Sequence, residues 1–456
     1  MSSPLPSPLE VIASHAAGID IGAAEHWVCV PAEHDEPVRR FGCFTRDLQA
    51  LADWLAACGV TTVAMESTGV YWLPLFEVLE SRGFQVCLVN ARHLKSVPGR
   101  KSDVLDCQWL QQLHSYGLLQ GSFHPEAAMR VLRSYIRHRD TLVRSGIVHI
   151  QRMQKALDQM NLQLHRVISD ITGKTGMSIL QAILAGERDP MKLAQLRDPR
   201  VKRSLDEISA ALEGHYREDL LFVLAQELAL YQTYQGQIQQ CDQQIEAYLN
   251  QLEAAAESPP RPPLAPRHSP RKKPQGNAPA FDLRSHLYEL SGVDFTQIDG
   301  LDALSVVNIL SEVGLDASRF PSVKHFTSWL GLSPGSCISG GKVLSSRTRK
   351  VVNRAATAFR IAAQSLYRSN SALGAFYRRL KGRLGPAKAI TATAHKLARI
   401  FYRLWRDGTA YEDPGAEVYE ERYRQRVVKN LERKARSLGL KLVADTNGDP
   451  VAESVS

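Results

Sequence analysis

The chain has no long apolar run and no CxxC pair, and its first residues lack a signal-peptide pattern; each absence argues against a class of protein. No run approaches the roughly 20 apolar residues needed to cross a bilayer, which argues against a membrane protein. Residues 1–4 lack the charged-then-apolar layout of a signal peptide, so we expect a cytoplasmic protein. None of the seven cysteines forms a CxxC pair, which favours reduced thiols and argues against a zinc site.

Acidic residues are also too few to balance the basic ones. The chain has 56 Lys and Arg against 47 Asp and Glu, a net charge of +9 and a pI near 9.2. This imbalance suggests a polyanionic partner, most simply nucleic acid. The 456 residues, 44% hydrophobic and 23% charged, are enough for two or three globular domains.

The first part of the chain reads as three strands, then helix, strand, helix, strand and helix. Three adjacent strands followed by αβ units predict a mixed sheet with helices on its faces. This order resembles the ribonuclease H-like (RuvC-like) fold, an α/β fold shared by many nucleases and transposases. The predicted strands cover 17–22, 26–30, 37–45, 61–65 and 84–89, and the predicted helices cover 47–58, 71–82 and 103–118.

Two aspartates open the last of these helices. Asp103 and Asp106 follow Ser102 at a spacing that puts both on one helix face, where carboxylates can bind Mg²⁺. The alternative is a helix N-terminus that favours acids through its dipole. The sites of ribonuclease H-like proteins also hold acids in the first strand and at the end of the fourth, which here are Asp20 and Glu66. A carboxylate such as Asp20 inside an apolar strand needs a partner, and a cation supplies one. We therefore predict a four-acid metal site.

Long helices dominate the middle of the chain. Residues 126–164 have a helical apolar stripe, and residues 219–252 predict a second long helix that can pair with the first as a coiled-coil arm or support a dimer. A cationic stripe beside the first is either a solvated face or a contact with a phosphate backbone, and we favour the phosphate contact. Its members are Arg130, Arg133, Arg137 and Arg144.

Proline composition marks the next boundary. Residues 258–280 contain eight of the 23 prolines and predict an extended, mobile linker. The predicted organisation is a catalytic domain at 1–125, a helical region at 126–257, this linker, a mainly α transposase-type domain at 281–412 that contains a serine-bearing loop, and a charged tail at 413–456.

That loop, residues 331–342, is rich in glycine and serine and is followed by cations. The simple interpretation is a hairpin turn. A serine among cations is also suited to attack or hold a phosphodiester, because nearby positive charge stabilises the phosphorane. The cations are Lys342, Arg347, Arg349, Lys350 and Arg354.

Together these motifs resemble the insertion-sequence-110 (IS110) family of transposases. The resemblance covers most of the chain and rests on Gly18-Ile19-Asp20, Met65-Glu66, Asp103 with Asp106, and Gly331-Leu332-Ser333-Pro334 followed by Ser339-Gly340. It implies a recombinase of a bacterial mobile element, working in the cytoplasm and on the nucleoid, with Mg²⁺ on the four acids. It also implies that Ser339 forms a covalent link to DNA, that a structured RNA guides the choice of donor and target DNA, and that subunits assemble as dimers and tetramers.

Two alternatives stay open at this stage. One is a Holliday-junction resolvase that uses the four acids alone, with Ser339 as a turn residue. The other is a non-catalytic nucleic-acid-binding protein in which the acids have structural roles.

Overall fold

A computed structural model describes residues 10–66, 69–90, 102–256, 261–267 and 277–443. The chain divides into two compact units, residues 1–124 and 125–456, and each is considered by itself. No helix in the described ranges is long and apolar enough to span a membrane.

The first unit contains a five-stranded mixed sheet in the order β3-β2-β1-β4-β5. Strand β2 is antiparallel to β1 and to β3, whereas β4 is parallel to β1 and to β5. This is the mixed sheet that the sequence predicted for a ribonuclease H-like fold. The strands are β1 Ala16–Ile21, β2 Glu25–Cys29, β3 Val38–Gly42, β4 Thr62–Glu66 and β5 Gln85–Val89; the helices are α1 Thr45–Ala57, α2 Trp72–Ser81 and α3 Asp103–Ser115.

Alternate residues of β1 face opposite layers. Ala17, Ile19 and Ile21 lie in the apolar core that α1 and α2 cover. The intervening Gly18 faces α3, whose backbone lies against it. Because strand side chains alternate, Asp20 lies on the α3 side of the sheet.

In the second unit, helices α4 (Ala127–Gln159) and α9 (Glu218–Ala255) pair antiparallel. The Tyr248 hydroxyl donates to the Ala128 carbonyl at one end of the pair, and His149 contacts Glu227 further along. The predicted long helical arm is therefore confirmed.

Two details of the region between these helices differ from the sequence prediction. The first long helix does not run to 164, because Asn161 has a positive φ of 58° that ends it. The glycine-flanked segment at 173–176 lacks the leading glycine of a phosphate loop, so its sequence predicts a turn, but it begins a helix at Lys174 instead. The short helices here are α5 Leu164–Val167, α6 Lys174–Leu184, α7 Pro190–Gln195 and α8 Leu205–Ala210.

The rest of the second unit is mainly helical, as predicted, around packed aromatic rings such as Phe295 and Phe401, whose centroids are 4.1 Å apart. A two-stranded hairpin interrupts the helices. The elements are α10 Leu283–Ser291, α11 Ala303–Val313, α12 Val323–Trp329, β6 Cys337–Ser339, β7 Lys342–Ser345, α13 Arg354–Ser365, α14 Ala372–Leu384, α15 Pro386–Asp407 and α16 Gly415–Ser437.

The described part of the proline-rich segment is held against this unit. The Arg261 side chain donates to the Glu289 carbonyl, and Arg267 donates to the Leu301 carbonyl. Residues 261–267 therefore contact this unit, and the assignment of 258–280 as a linker stays a prediction. The same segment also contains three consecutive basic residues, Arg271, Lys272 and Lys273, which lie outside the described residues.

Candidate active site

The site begins where α3 crosses β1 at Gly18. A Cβ atom built on Gly18 would lie 2.2 Å from the Gln111 backbone nitrogen and 2.4 Å from the Cys107 carbonyl oxygen. The Gln111 side chain also donates to the Ala16 carbonyl at 3.2 Å. Ser115, at the far end of the helix, accepts from the Ile12 N–H at 2.8 Å. The helix thus runs antiparallel to the strand, and its first turn points towards the strand end that carries Asp20.

Strand pairing places Glu66 beside Asp20. Ile19 is the partner of Met65 in the parallel β1–β4 ladder. Asp20 and Glu66 are the next residues on each strand, and they share the α3 side of the sheet because strand side chains alternate.

Asp103 and Asp106 occupy the first turn of α3. The cap of this helix is supplied by Ser102, whose Oγ accepts from the Leu105 N–H at 3.4 Å. Side-chain capping at this terminus is therefore performed by the serine. The dipole interpretation of the two aspartates holds alongside the metal interpretation, because both favour acids at this position.

Three of the four carboxylates lie close enough to Asp20 to affect its ionisation. Burial and, after it, the negative charges of Asp103, Glu66 and Asp106 together raise the pKa of Asp20 to about 6, against the hydrogen bond from the Ile21 N–H. Repulsion of this kind is what a bound cation relieves. The donors are all carboxylate oxygens, which suits a hard divalent ion.

In the part of the chain that the structure describes, the four carboxylates are close to one end of the sheet but are not grouped as the complete ligand set of one metal ion. Across the described ranges, no three His, Cys, Asp or Glu side chains are grouped tightly enough to hold one ion. Residues 67–68 and 91–101, which flank Glu66 and Ser102 in the chain, lie outside those ranges. The donor chemistry fits a divalent cation, and the fit rests on the electrostatics of Asp20.

In the second unit, Ser339 lies at the tip of the β6–β7 hairpin. It pairs with Lys342 across a two-residue loop of Gly340 and Gly341, with φ of 55° and 76°. Positive φ at both positions is the requirement of a type I′ turn, which glycine meets without strain. The hairpin turn that the sequence suggested for this loop is therefore present, and Ser339 is exposed at the end of strand β6.

Two family models match the chain. One, a DEDD-type model of the IS110 group described as "Transposase", matches residues 17–162, which contain all four acids. The other, described as "Transposase IS116/IS110/IS902 family", matches residues 294–378, which contain the Ser339 hairpin. The chain belongs to the IS110 family of transposases. A search of curated proteins returned no match. DNA cleavage and rejoining is the general activity of this transposase family, and the DEDD-type domain suggests dependence on a divalent metal.

The cations that follow the transposase hairpin divide into two groups. Arg349 donates to the Ser328 carbonyl and hydroxyl at 2.8 and 2.9 Å, and Arg354 pairs with Asp140 at 3.2 Å. These two hold the segment in place. All five cations are exposed, and the other three are Lys342, Arg347 and Lys350.

The predicted arginine stripe on α4 has partners within the protein. Arg137 donates two hydrogen bonds, of 2.8 and 2.7 Å, to Glu312 on α11, and Arg133 lies 3.9 Å from the same carboxylate. Burial, followed by repulsion from Arg137, lowers the pKa of Arg133. Arg130 donates to the Pro125 carbonyl at 3.4 Å, and Arg144 pairs with Asp140 at 2.8 Å.

Sequence reasoning missed Glu312, which is only 8% exposed. A usable signal was present, since Glu312 is the single acid in the otherwise apolar and small-polar helix α11. A buried acid in such a helix needs a cationic partner, and the arm supplies it.

Proposed function

We propose that this transposase is a Mg²⁺-dependent site-specific recombinase that cleaves and rejoins donor and target DNA through a covalent bond to Ser339. The proposal includes a structured guide RNA, a homo-oligomer, and action on the nucleoid in a bacterial cytoplasm. The observation that supports it most is the convergence of Asp20, Glu66, Asp103 and Asp106 at one end of the β1–β4–α3 layer. The five-part domain division remains part of the proposal.

The four carboxylates would hold the divalent cation. When bound, such a cation neutralises the charge that develops on the phosphate under attack. Asp20 is the member most affected by its neighbours, because it is half-buried between the strand and helix α3. The close approach of helix α3 to the sheet at Gly18 places the first turn of the helix, with Asp103 and Asp106, near enough to Asp20 for their charges to act on it.

Ser339 would attack the phosphorus of a phosphodiester. The Oγ–P bond forms as the serine loses its proton, and the bond from phosphorus to the departing deoxyribose oxygen breaks as that oxygen takes up a proton. Rejoining reverses the exchange, with a deoxyribose hydroxyl displacing Ser339. The exposed Lys342, Arg347 and Lys350 would bind the DNA backbone beside the hairpin.

Guide-RNA binding is proposed on two grounds, the resemblance of the motifs and the net charge of +9. The remaining predicted contacts, Arg130, Arg133, Arg137, Arg144, Arg349 and Arg354, stay in the proposal. Each has an intramolecular partner, so a phosphate would have to compete with that partner or share the side chain with it.

The test is a denaturing gel of end-labelled DNA from the element, incubated with the protein, copurified RNA and Mg²⁺. Wild type should give a protein-linked band. Ser339→Ala should give none while binding DNA normally, and Ser336→Ala, three residues away on the same segment, should retain the band. Asp20→Asn and Glu66→Gln should lose it, because each removes charge from the cation site.

The alternatives predict other gels. Metal-dependent cleavage without a protein-linked band, in wild type as in Ser339→Ala, indicates a resolvase that uses the acids alone. Unchanged activity in both acid variants removes the carboxylates from the mechanism. An intact band in Ser339→Ala that disappears in Ser336→Ala moves the nucleophile to Ser336.

A further inference from the structure

The last described helix, α16, carries a line of cations on one face. From residue 422 to residue 437 it has seven Lys or Arg and one acid, Glu432. Five of the cations repeat at spacings of four, three, four and three, which confines them to about 80° of the helix circumference. No residue of α16 is buried. We call this line the α16 stripe, and its members are Arg422, Arg426, Lys429, Arg433 and Arg436.

The first half of α16 is the half that docks on the protein. Glu420 pairs with Arg379 of α14, and the Arg379 guanidinium lies 3.3 Å from the centroid of the Tyr423 ring. The off-stripe Arg424 also lines the groove between these helices. By helix spacing, Glu420, Arg424 and Val427, which line the groove, lie on the opposite side of α16 from the stripe, so the stripe faces away from the groove. Tyr419 and Tyr423, which contact Arg379, lie between the two faces.

Beside Arg426 the fold gathers further cations. Lys396 on α15 is half-buried, with its Nζ 4.2 Å from the centroid of the Phe376 ring and 5.4 Å from that of Tyr419. Burial lowers the pKa of Lys396, and repulsion from Arg426 and Arg399 lowers it further. Among the described residues, these three cations have no Asp or Glu within ion-pair distance. The rings of Phe376 and Tyr419 hold the Lys396 ammonium in place, and the exposed Arg399 and Arg426 lie near enough to repel it.

We propose that the α16 stripe, continued by Lys396 and Arg399 on α15, binds the phosphate backbone of duplex DNA. The stripe extends about 21 Å from Arg422 to Arg436, the length of about six successive phosphates on one strand. A polyanion at this position relieves the repulsion that the fold itself leaves uncompensated. The surface lies outside both segments matched by the family models, and it rests on the proposed function only in taking DNA as the substrate.

The test compares two double variants of the full-length protein. Lys429→Gln with Arg433→Gln removes two charges from the stripe, and Arg424→Gln with Lys434→Gln removes two from the rest of the same helix. None of these residues is buried, so both proteins should fold like wild type. Binding to a fluorescent duplex of arbitrary sequence is measured by anisotropy over a range of KCl without divalent ions, so that no cleavage occurs.

The stripe variant should reduce the slope of log K against log salt by about 1.8, since each lost duplex contact accounts for about 0.9. The off-stripe variant should keep the wild-type slope. If both variants lost the same amount of slope, the effect would depend only on the net charge of the helix and not on the stripe, and the proposal would be overturned. A loss seen with an RNA duplex and not with DNA would overturn it in favour of RNA. This experiment measures DNA binding alone, whereas the denaturing gel measures covalent attachment to Ser339. A negative result in either experiment therefore does not change the interpretation of the other.

Discussion

At the scale of single residues, Gly18 sets how closely α3 approaches the sheet. The atoms that a Cβ would meet are backbone atoms of Cys107 and Gln111, which cannot rotate out of the way. The helix can lie this close to β1 only because residue 18 has no side chain. Asp103 and Asp106 reach the vicinity of Asp20 through this contact.

We therefore expect Gly18→Ala to abolish DNA cleavage and to lower the free energy of unfolding by about 1–3 kcal/mol, the usual cost of overpacking. The added methyl group forces α3 away from β1 and separates the carboxylates. Cleavage assays and urea unfolding measure the two effects.

The matched control is Gly236→Ala on α9, where a Cβ would meet nothing within 4 Å. This change should leave cleavage intact and raise stability by about 0.5–1 kcal/mol, because alanine favours a helix. If Gly18→Ala behaved in the same way, the close approach would have no part in the site.

At the scale of elements, helices α4 and α9, which form the long arm, are joined by polar contacts that lie within a mainly apolar interface. The inner face of α4 buries Met129, Leu132 and Met153, but also Arg139 and His149. Arg139 donates to both oxygens of Asp242 on α9 and to the Asn277 carbonyl. These pairs fix one register between two helices whose apolar residues alone would tolerate several.

Asp242→Ala should lower the stability of the second unit by about 3–5 kcal/mol, because it leaves the buried Arg139 charge without its partner. Replacing both residues, Arg139→Met with Asp242→Leu, should recover most of the loss. Urea unfolding followed by circular dichroism measures the difference.

Arg403→Ala provides the surface comparison, since its pair with Asp407 spans 3.8 Å and its side chain is 82% exposed. That change should have little effect. An equally small effect of Asp242→Ala would show that water or another donor replaces the pair.

At the scale of the whole molecule, Glu312 joins the arm to the helices of the C-terminal part. Glu312, on α11, contacts both Arg133 and Arg137 of α4. Arg137 lies 175 residues before it in the sequence. Two arginines around one carboxylate leave an excess of positive charge on this side of the arm. If the α4 arginines bind a phosphate backbone as predicted, the phosphates have to compete with Glu312 for Arg133 and Arg137.

Glu312→Gln should lower the stability of the second unit by about 1.5–3 kcal/mol, the range for hydrogen bonds to charged groups. Calorimetry of the unfolding transition measures it. Should the variant instead keep wild-type stability and bind DNA more tightly, the arginines would be nucleic-acid contacts that Glu312 restrains.

The sequence by itself determined the elements and the order of the acids. Helix α1 begins and ends within two residues of its prediction, and α3 begins at Asp103 as predicted. Apolar periodicity and capping residues are local signals, so they survive without knowledge of the rest of the chain. The places of Asp20 and Glu66 followed from strand order, and the mixed sheet confirms that order.

Only the tertiary structure decided what the charges contact. The spacing of Arg133 and Arg137 is equally consistent with a solvated face, a phosphate contact and an internal ion pair, and the choice depends on a glutamate far away in sequence. The same holds for Gly18. It must lack a side chain because a helix about ninety residues later in the sequence packs directly against it. Local spacing encodes helices and strands, whereas the partner of a charge and the space around a glycine exist only after distant segments have packed together.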